Sequence, residues 1–365
     1  MHGGNLRRAK ELYGLETFID LSANINPFGP PARVWDSLEK GMPDIVHYPD
    51  PESINLRKTL AGSLSLALEN IMVGNGAGEL IFTIMQALKP QKVVIPIPTF
   101  SEYERAAGAV GSEVLHVPFG PEGWTRFKGS DKETLEIWKG ILKGCDLLFL
   151  CSPHNPTGSV IDKDFFEYIL RITKDGGCKI LFDESFLDFL PDECRKSARQ
   201  YLAGNEHLIV LYSLTKFYSI PGLRLGAVFA HPSLITNFDQ YRDPWSVNVF
   251  AQQAGIAALE DLEYPSEVRG KIQESRGYFY REFEQSSFPD LKLWPSAVNF
   301  ALIQVFNHPT KALIEHLGRL GILVRDCSSF EGLHANFIRV AIKDIPVMQR
   351  LIEGVKDWSK RSSTT

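Results

Sequence analysis

The stretch HLIVLYSLTKFYSIPGLRLGAVFA, His207 to Ala230, sets a single lysine, Lys216, between two apolar runs, beside hydroxylated residues and ahead of Arg224, which is enclosed between Gly222 and Gly226. Neither HLIVLYS nor LGAVFA shows the strict period-two alternation of a half-exposed strand, so both read as strands buried on both faces. The same kind of run recurs upstream in NIMVG, KVVIPIP, EVLHVPF, DLLFLCSP and KILFDES. Segments of helical period such as INLRKTLAGSLSLAL and GELIFTIMQAL lie among them. This alternation predicts an α/β fold with a mostly parallel central sheet covered by helices. After DPWSVN the rhythm changes to one long helical stretch, PSEVRGKIQESRGYFYREFEQ. The strands NFALIQV, ILVRDCS and FIRVAI follow, with the helices TKALIEHLGRLG and DIPVMQRLIEGVKDW among them. The expected organisation is an N-terminal arm over 1–40 that joins the small domain, a large domain over 41–245 and a smaller α+β C-terminal domain over 246–365.

Composition narrows the function classes. At 44% hydrophobic and 23% charged residues, the 365-residue chain can bury a substantial core. A net charge of -5 leaves no basic footprint, so nucleic acid is not expected as a partner. The N-terminus has no apolar leader and no run of about 18 apolar residues occurs, so no membrane association is expected. Five cysteines without a CxxC pair fit a reducing compartment, and a cytoplasmic location is expected.

In parallel sheets ligands gather at the carboxyl ends of the strands. Four such ends carry polar residues here: VGNGAGE, CSPHNPTG, FDESF and YSLTK. Gly74, Gly76 and Gly78 allow a bare backbone to approach an anion at a helix N-terminus, which makes a phosphate cradle. A dinucleotide fingerprint would need its third glycine where Glu79 stands, and no GK[ST] follows for a P-loop. Asp183 closes an apolar strand, where its carboxylate needs a cap, a salt bridge or a cationic partner such as a protonated pyridine nitrogen. A desolvated Lys216 would have a lowered pKa and become a usable amine toward an aldehyde. Ser213 and Arg224 can donate to a phosphate. Phosphate, pyridine nitrogen and aldehyde together describe pyridoxal phosphate. Nine scattered histidines without HExxH argue against metal-dependent hydrolysis.

These motifs, with HGGN, LSANINPFG, HYPDP, PTFSEY, PWSVN and FIRVAI, make almost the whole chain similar to the fold-type I, aspartate aminotransferase-like pyridoxal-phosphate enzymes of the histidinol-phosphate aminotransferase group. Within that group it most resembles the threonine-phosphate decarboxylases of cobalamin biosynthesis. The resemblance implies that Lys216 binds the cofactor aldehyde, Asp183 pairs with the ring nitrogen, Asn155 bonds the ring hydroxyl oxygen and Phe100 stacks on the ring. It assigns the cofactor phosphate to Gly76, Ala77, Gly78, Ser213, Thr215 and Arg224. Tyr48 would reach that phosphate from the other subunit of a homodimer. It assigns a small phosphorylated amino acid to His2, Asn24, Asn155, Arg325 and Arg339, with Arg339 on the α-carboxylate and Arg325 and His2 on the phosphate ester. Phe186 stands where the aminotransferases of the group carry tyrosine, and LTKFYSIPGLRLG together with PWSVN and HGGN also points to the decarboxylases. The expected activity is decarboxylation of threonine phosphate, with serine phosphate as a further substrate. Transamination of histidinol phosphate is the alternative, and a regulatory protein without turnover is disfavoured by the intact Lys216, Asp183 and Asn155.

Overall fold

Seven strands form the central sheet of the computed structural model, which describes residues 3–127 and 132–362; six are largely buried, whereas Glu113–Pro118, expected to be buried on both faces, lies at the sheet edge with every residue half-buried or exposed. Their order is Ile71–Gly74, Gly226–Ala230, Leu208–Ser213, Lys179–Asp183, Leu147–Cys151, Lys92–Ile97 and Glu113–Pro118. Five of them, from Leu208–Ser213 to Glu113–Pro118, are mutually parallel. Gly226–Ala230 runs antiparallel to both of its neighbours. Because successive side chains of a strand face opposite sides, each run feeds two cores. Leu148, Val210 and Phe229 pack with Phe165 on one face, and Leu147, Leu211 and Val228 pack with Leu80 and Ile84 on the other. Continuous apolarity in these runs is therefore the sequence signature of a sheet covered on both sides.

Local chemistry sets the helix ends. Asp162 caps the helix Lys163–Gly176 by accepting from the amides of Asp164 and Phe165, and Gly177, at φ 73, closes it in the left-handed region. The segment INLRKTLAGSLSLAL is helical only over Ile54–Leu64, where Ser65, at φ 54, turns the chain out of the helix.

A second, four-stranded antiparallel sheet has the order Arg325–Asp326, Phe337–Ala341, Phe300–Val305, Leu291–Leu293. Ile303, Ile338 and Val340 pack there with Leu313, Ile352 and Trp358 from the helices Thr310–Arg319 and Ile345–Ser362. ILVRDCS, read from sequence as one strand, is two. Ile322–Leu323 pairs in parallel with Ile19–Asp20, whereas Arg325–Asp326 pairs with Phe337–Ala341. Two different neighbours take up the backbone donors of its two halves. Among the described residues no helix is long and apolar enough to cross a membrane, and all five cysteines are free thiols.

The reversed strand has a consequence for the site. It begins at the sheet edge where its parallel neighbours end, so Arg224 arrives beside Ser213 and the Gly76–Gly78 turn. The backbones meet closely there: a Cβ on Gly226 would lie 2.7 Å from the Ala77 nitrogen and 2.9 Å from the Gly76 carbonyl carbon. Gly226→Ala is expected to lower stability by about 1–3 kcal/mol through backbone displacement, which a denaturant titration against the native protein checks.

Candidate active site

The ends of the strands Ile71–Gly74, Leu147–Cys151, Lys179–Asp183 and Leu208–Ser213, with the start of Gly226–Ala230, surround a cavity of about 430 Å³. Lys216, on the short helix Leu214–Phe217, lines it and donates to Ser213 Oγ at 3.2 Å. Burial holds the Lys216 ammonium below the ordinary lysine range, while the Asp183 carboxylate pulls it back up. Asp183, only 4% exposed, faces the same space.

Hydroxyl, amide and guanidinium donors collect at one end. Ser213 Oγ and Thr215 Oγ1 are 2.8 Å apart, and Ala77, Gly78 and Arg224 line the wall with them. Gly76, at φ 85, lies behind Arg224; a Cβ there would come within 2.4 Å of Arg224 Nη2. Arg224 itself adopts φ 59, a strained backbone for a residue with a side chain. Phe100, three residues past the carboxyl end of the strand Lys92–Ile97, also lines the cavity.

Arg339 and Asn24 complete this wall, 6% exposed each. Arg339 donates through Nη1 to Asn155 Oδ1 and through Nη2 to the Ser22 carbonyl at 3.1 Å. A narrower recess of about 70 Å³ is shared by Asn155, Arg339, Arg325, Ser329 and Phe330. Arg325 donates to Ser329 Oγ at 3.0 Å, and its guanidinium lies over the Phe330 ring. Burial lowers the pKa of both arginines, that of Arg339 to about 10. Among the described residues neither makes an ion pair with an acidic side chain. A buried cation without a counter-charge is costly unless an anion is bound beside it.

The structure does not bring Tyr48 to this cavity. It is 81% exposed and packs on Trp245 with ring centroids 4.8 Å apart. His2 lies outside the described residues. Sequence reasoning passed over Tyr103, Ser22, Ser185 and Cys151, all of which line the cavity. Tyr103 could have been found in PTFSEY, because the turn that leads into the helix Glu102–Ala109, closed by the Tyr103 amide donating to the Phe100 carbonyl at 3.3 Å, brings the two rings together. The ring of Phe186 lies 5.1 Å from Lys216 Nζ and meets Phe300 edge-on.

Residues 16–355 match the family described as aminotransferase class I and II. The chain belongs to that family. It is 34% identical to the threonine-phosphate decarboxylase of Salmonella typhimurium over 98% of this chain and 96% of that one. It is also 31% identical to the histidinol-phosphate aminotransferase of Symbiobacterium thermophilum, over 94% of this chain and 91% of that one. The crystal structure of the histidinol-phosphate aminotransferase from Clostridium acetobutylicum superposes with a TM-score of 0.83 at 27% identity, covering 93% of this chain and 99% of that one. The fold is thus that of the aspartate aminotransferase-like, fold-type I enzymes.

The site fits pyridoxal phosphate on its own chemistry. It offers a desolvated lysine for an aldehyde, a buried carboxylate for a ring nitrogen, an aromatic wall, and hydroxyl and guanidinium donors for a phosphate. Lys216→Ala is expected to abolish the yellow chromophore that borohydride fixes covalently to the native protein. Absorbance and mass spectrometry of the reduced protein check this.

Proposed function

We propose that the protein is a pyridoxal-phosphate-dependent decarboxylase that converts L-threonine O-3-phosphate to (R)-1-amino-2-propanol O-2-phosphate for corrinoid assembly, with serine phosphate as a further substrate. The observation that carries this reading is the pair of buried guanidinium groups, Arg325 and Arg339, that line one recess with Asn155 and, among the described residues, make no ion pair with an acidic side chain. Two such groups ask for a ligand with two anionic ends, and a phosphorylated amino acid has a carboxylate and a phosphate ester. The similarity to threonine-phosphate decarboxylase over nearly the full length of both chains supports the same reading.

When bound, pyridoxal phosphate supplies an electron sink for the pair released as a bond to the substrate Cα breaks. Ala77, Gly78, Ser213, Thr215 and Arg224 are assigned to its phosphate, with Gly76 shaping the turn behind them. Asn155 is assigned to the ring hydroxyl oxygen, Phe100 to the ring face and Asp183 to the ring nitrogen. Arg339 and Arg325 hold the two ends of a short substrate, with Asn24 beside them and His2 assigned to the phosphate ester. Anchoring at two points fixes which Cα bond stands across the ring plane, and so which bond breaks. The Lys216 ammonium, which burial holds below the ordinary lysine range, would give a proton from Nζ to Cα after carbon dioxide departs. Phe186 places a ring without a hydroxyl 5.1 Å from that amine.

A homodimer belongs to the proposal. Exposed Trp35, Met42, Ile45, Val46, Tyr48 and Trp245 offer an apolar face of the kind that marks subunit contact. Tyr48 on that face is assigned to the cofactor phosphate of the other subunit. The arm over 1–40, the large domain over 41–245 and the small domain over 246–365 remain the proposed division of the chain, supported by the separate core of the four-stranded sheet.

Incubation with O-phosphothreonine is expected to release carbon dioxide whether or not 2-oxoglutarate is present. Glutamate formed without carbon dioxide, or turnover of histidinol phosphate alone, would replace the decarboxylase with an aminotransferase. Arg325→Ala is expected to raise KM for O-phosphothreonine by about 30-fold or more, since a buried charge pair loses one member. Steady-state kinetics check this, with unchanged cofactor absorbance as the control.

A further inference from the structure

We propose that Tyr103 is a positioning residue for Asp183, occupying Oδ2 with its hydroxyl so that the proton shared with the cofactor ring nitrogen stays on the ring. This rests on the pyridoxal-phosphate reading of the site. Asp183 has both oxygens engaged before any ligand is considered: the Ser185 amide donates to Oδ1 at 2.7 Å, and the Tyr103 hydroxyl donates to Oδ2 at 2.6 Å. An ionised carboxylate has about four acceptor sites, so a ring N–H can still be received. Among the described residues no other side chain donates to Asp183.

The phenol is held where it is. Its ring stacks on Phe149 at 4.9 Å and 22°, and meets Phe100 edge-on at 5.7 Å and 85°. Phe100, the expected ring-stacking residue, and Tyr103 thus come from one turn of chain, so the groups that would meet the ring face and the ring nitrogen are positioned by the same few residues. Burial and the neighbouring Asp183 charge push the Tyr103 hydroxyl well above its ordinary range, so it remains a donor and Asp183 remains the acceptor. The other groups facing this carboxylate are Cys151, from the adjacent strand, and Lys216. Burial raises the Cys151 thiol, which stays neutral and donates to the Pro153 carbonyl at 3.4 Å. Arg224 and Arg339 act on Lys216 and lower it.

Each donor to a carboxylate lowers its affinity for a proton. Removing the Tyr103 hydroxyl leaves Oδ2 without its donor, and the shared proton moves from the ring nitrogen toward it. A ring with less positive charge lets the nitrogen joining Lys216 to the cofactor keep its own proton to higher pH.

The test is a pH titration of the bound cofactor's absorbance in the holoenzyme, for the native protein, Tyr103→Phe and Tyr103→3-fluorotyrosine. Tyr103→Phe keeps the ring and both aromatic contacts; its midpoint is expected to rise by about half a unit to one unit. Its kcat is expected to fall about 10-fold with KM changed little. Tyr103→3-fluorotyrosine, a stronger donor of nearly the same shape, should move the midpoint down. A midpoint unmoved or lowered in Tyr103→Phe overturns the proposal, because a packing role alone gives that result. Should Tyr103→Phe fail to fold, an unmoved or raised midpoint in the fluorotyrosine protein overturns it instead. A native protein with no borohydride-fixed cofactor on Lys216 would refute the underlying reading, which separates the two failures.

Discussion

The contact on which the site depends is between two stretches of bare backbone. Gly226 opens the single reversed strand of the large sheet, and its α-carbon faces the peptide joining Gly76 to Ala77 with no room for a methyl group. That proximity puts the cradle amides, the Ser213 and Thr215 hydroxyls and the Arg224 guanidinium around one end of the cavity. Most of the parallel strands bring their carboxyl ends to this edge as a matter of topology, but a strand of the same direction in this position would have delivered its loop to the opposite edge. The strained φ of Arg224 is the local cost of turning into that strand.

Around this junction the protein buries charge in an uneven pattern. Glu184, next to Asp183 and fully buried, is satisfied internally by Ser197 Oγ, the Ala198 amide and the Arg199 guanidinium. Lys216, Asp183, Arg325 and Arg339 are instead gathered at cavities, where the arginines donate hydrogen bonds to neutral acceptors. The first arrangement holds the fold together; the second leaves electrostatic demand that a ligand can meet. The two buried carboxylates are neighbours in sequence, yet Glu184 meets Arg199 whereas Asp183 lines the cavity with Tyr103.

Much of the fold was legible because the central strands are buried on both faces, which leaves continuous apolar runs in the sequence. The direction of Gly226–Ala230 was not, since an apolar run has no polarity of its own and its pairing is decided by neighbours far along the chain. The division of ILVRDCS between two partners was hidden for the same reason. At the site, residues with distinctive chemistry such as Lys216, Asp183 and Asn155 stood out in their motifs, and the structure gathers them on one cavity. Tyr103 looks in sequence like an ordinary core aromatic, and only its hydroxyl, 80 positions from its acceptor, distinguishes it. Tyr48 lies on the outer surface of this chain, so its assignment concerns a second copy.

The parallel pairing of Ile19–Asp20 with Ile322–Leu323 joins segments about 300 residues apart. Ser22 and Asn24, which follow directly from the first of these strands, line the cavity, and the Ser22 carbonyl receives Arg339. In order of synthesis, residues 19–24 must therefore wait for a partner about 300 positions further along. All seven strands of the large sheet lie within residues 71–230, so Lys216 and the strands around it precede both Arg325 and Arg339. The side of the cavity built from strand ends is thus local to one stretch of chain, whereas the side carrying the two arginines depends on segments from both sides of that stretch.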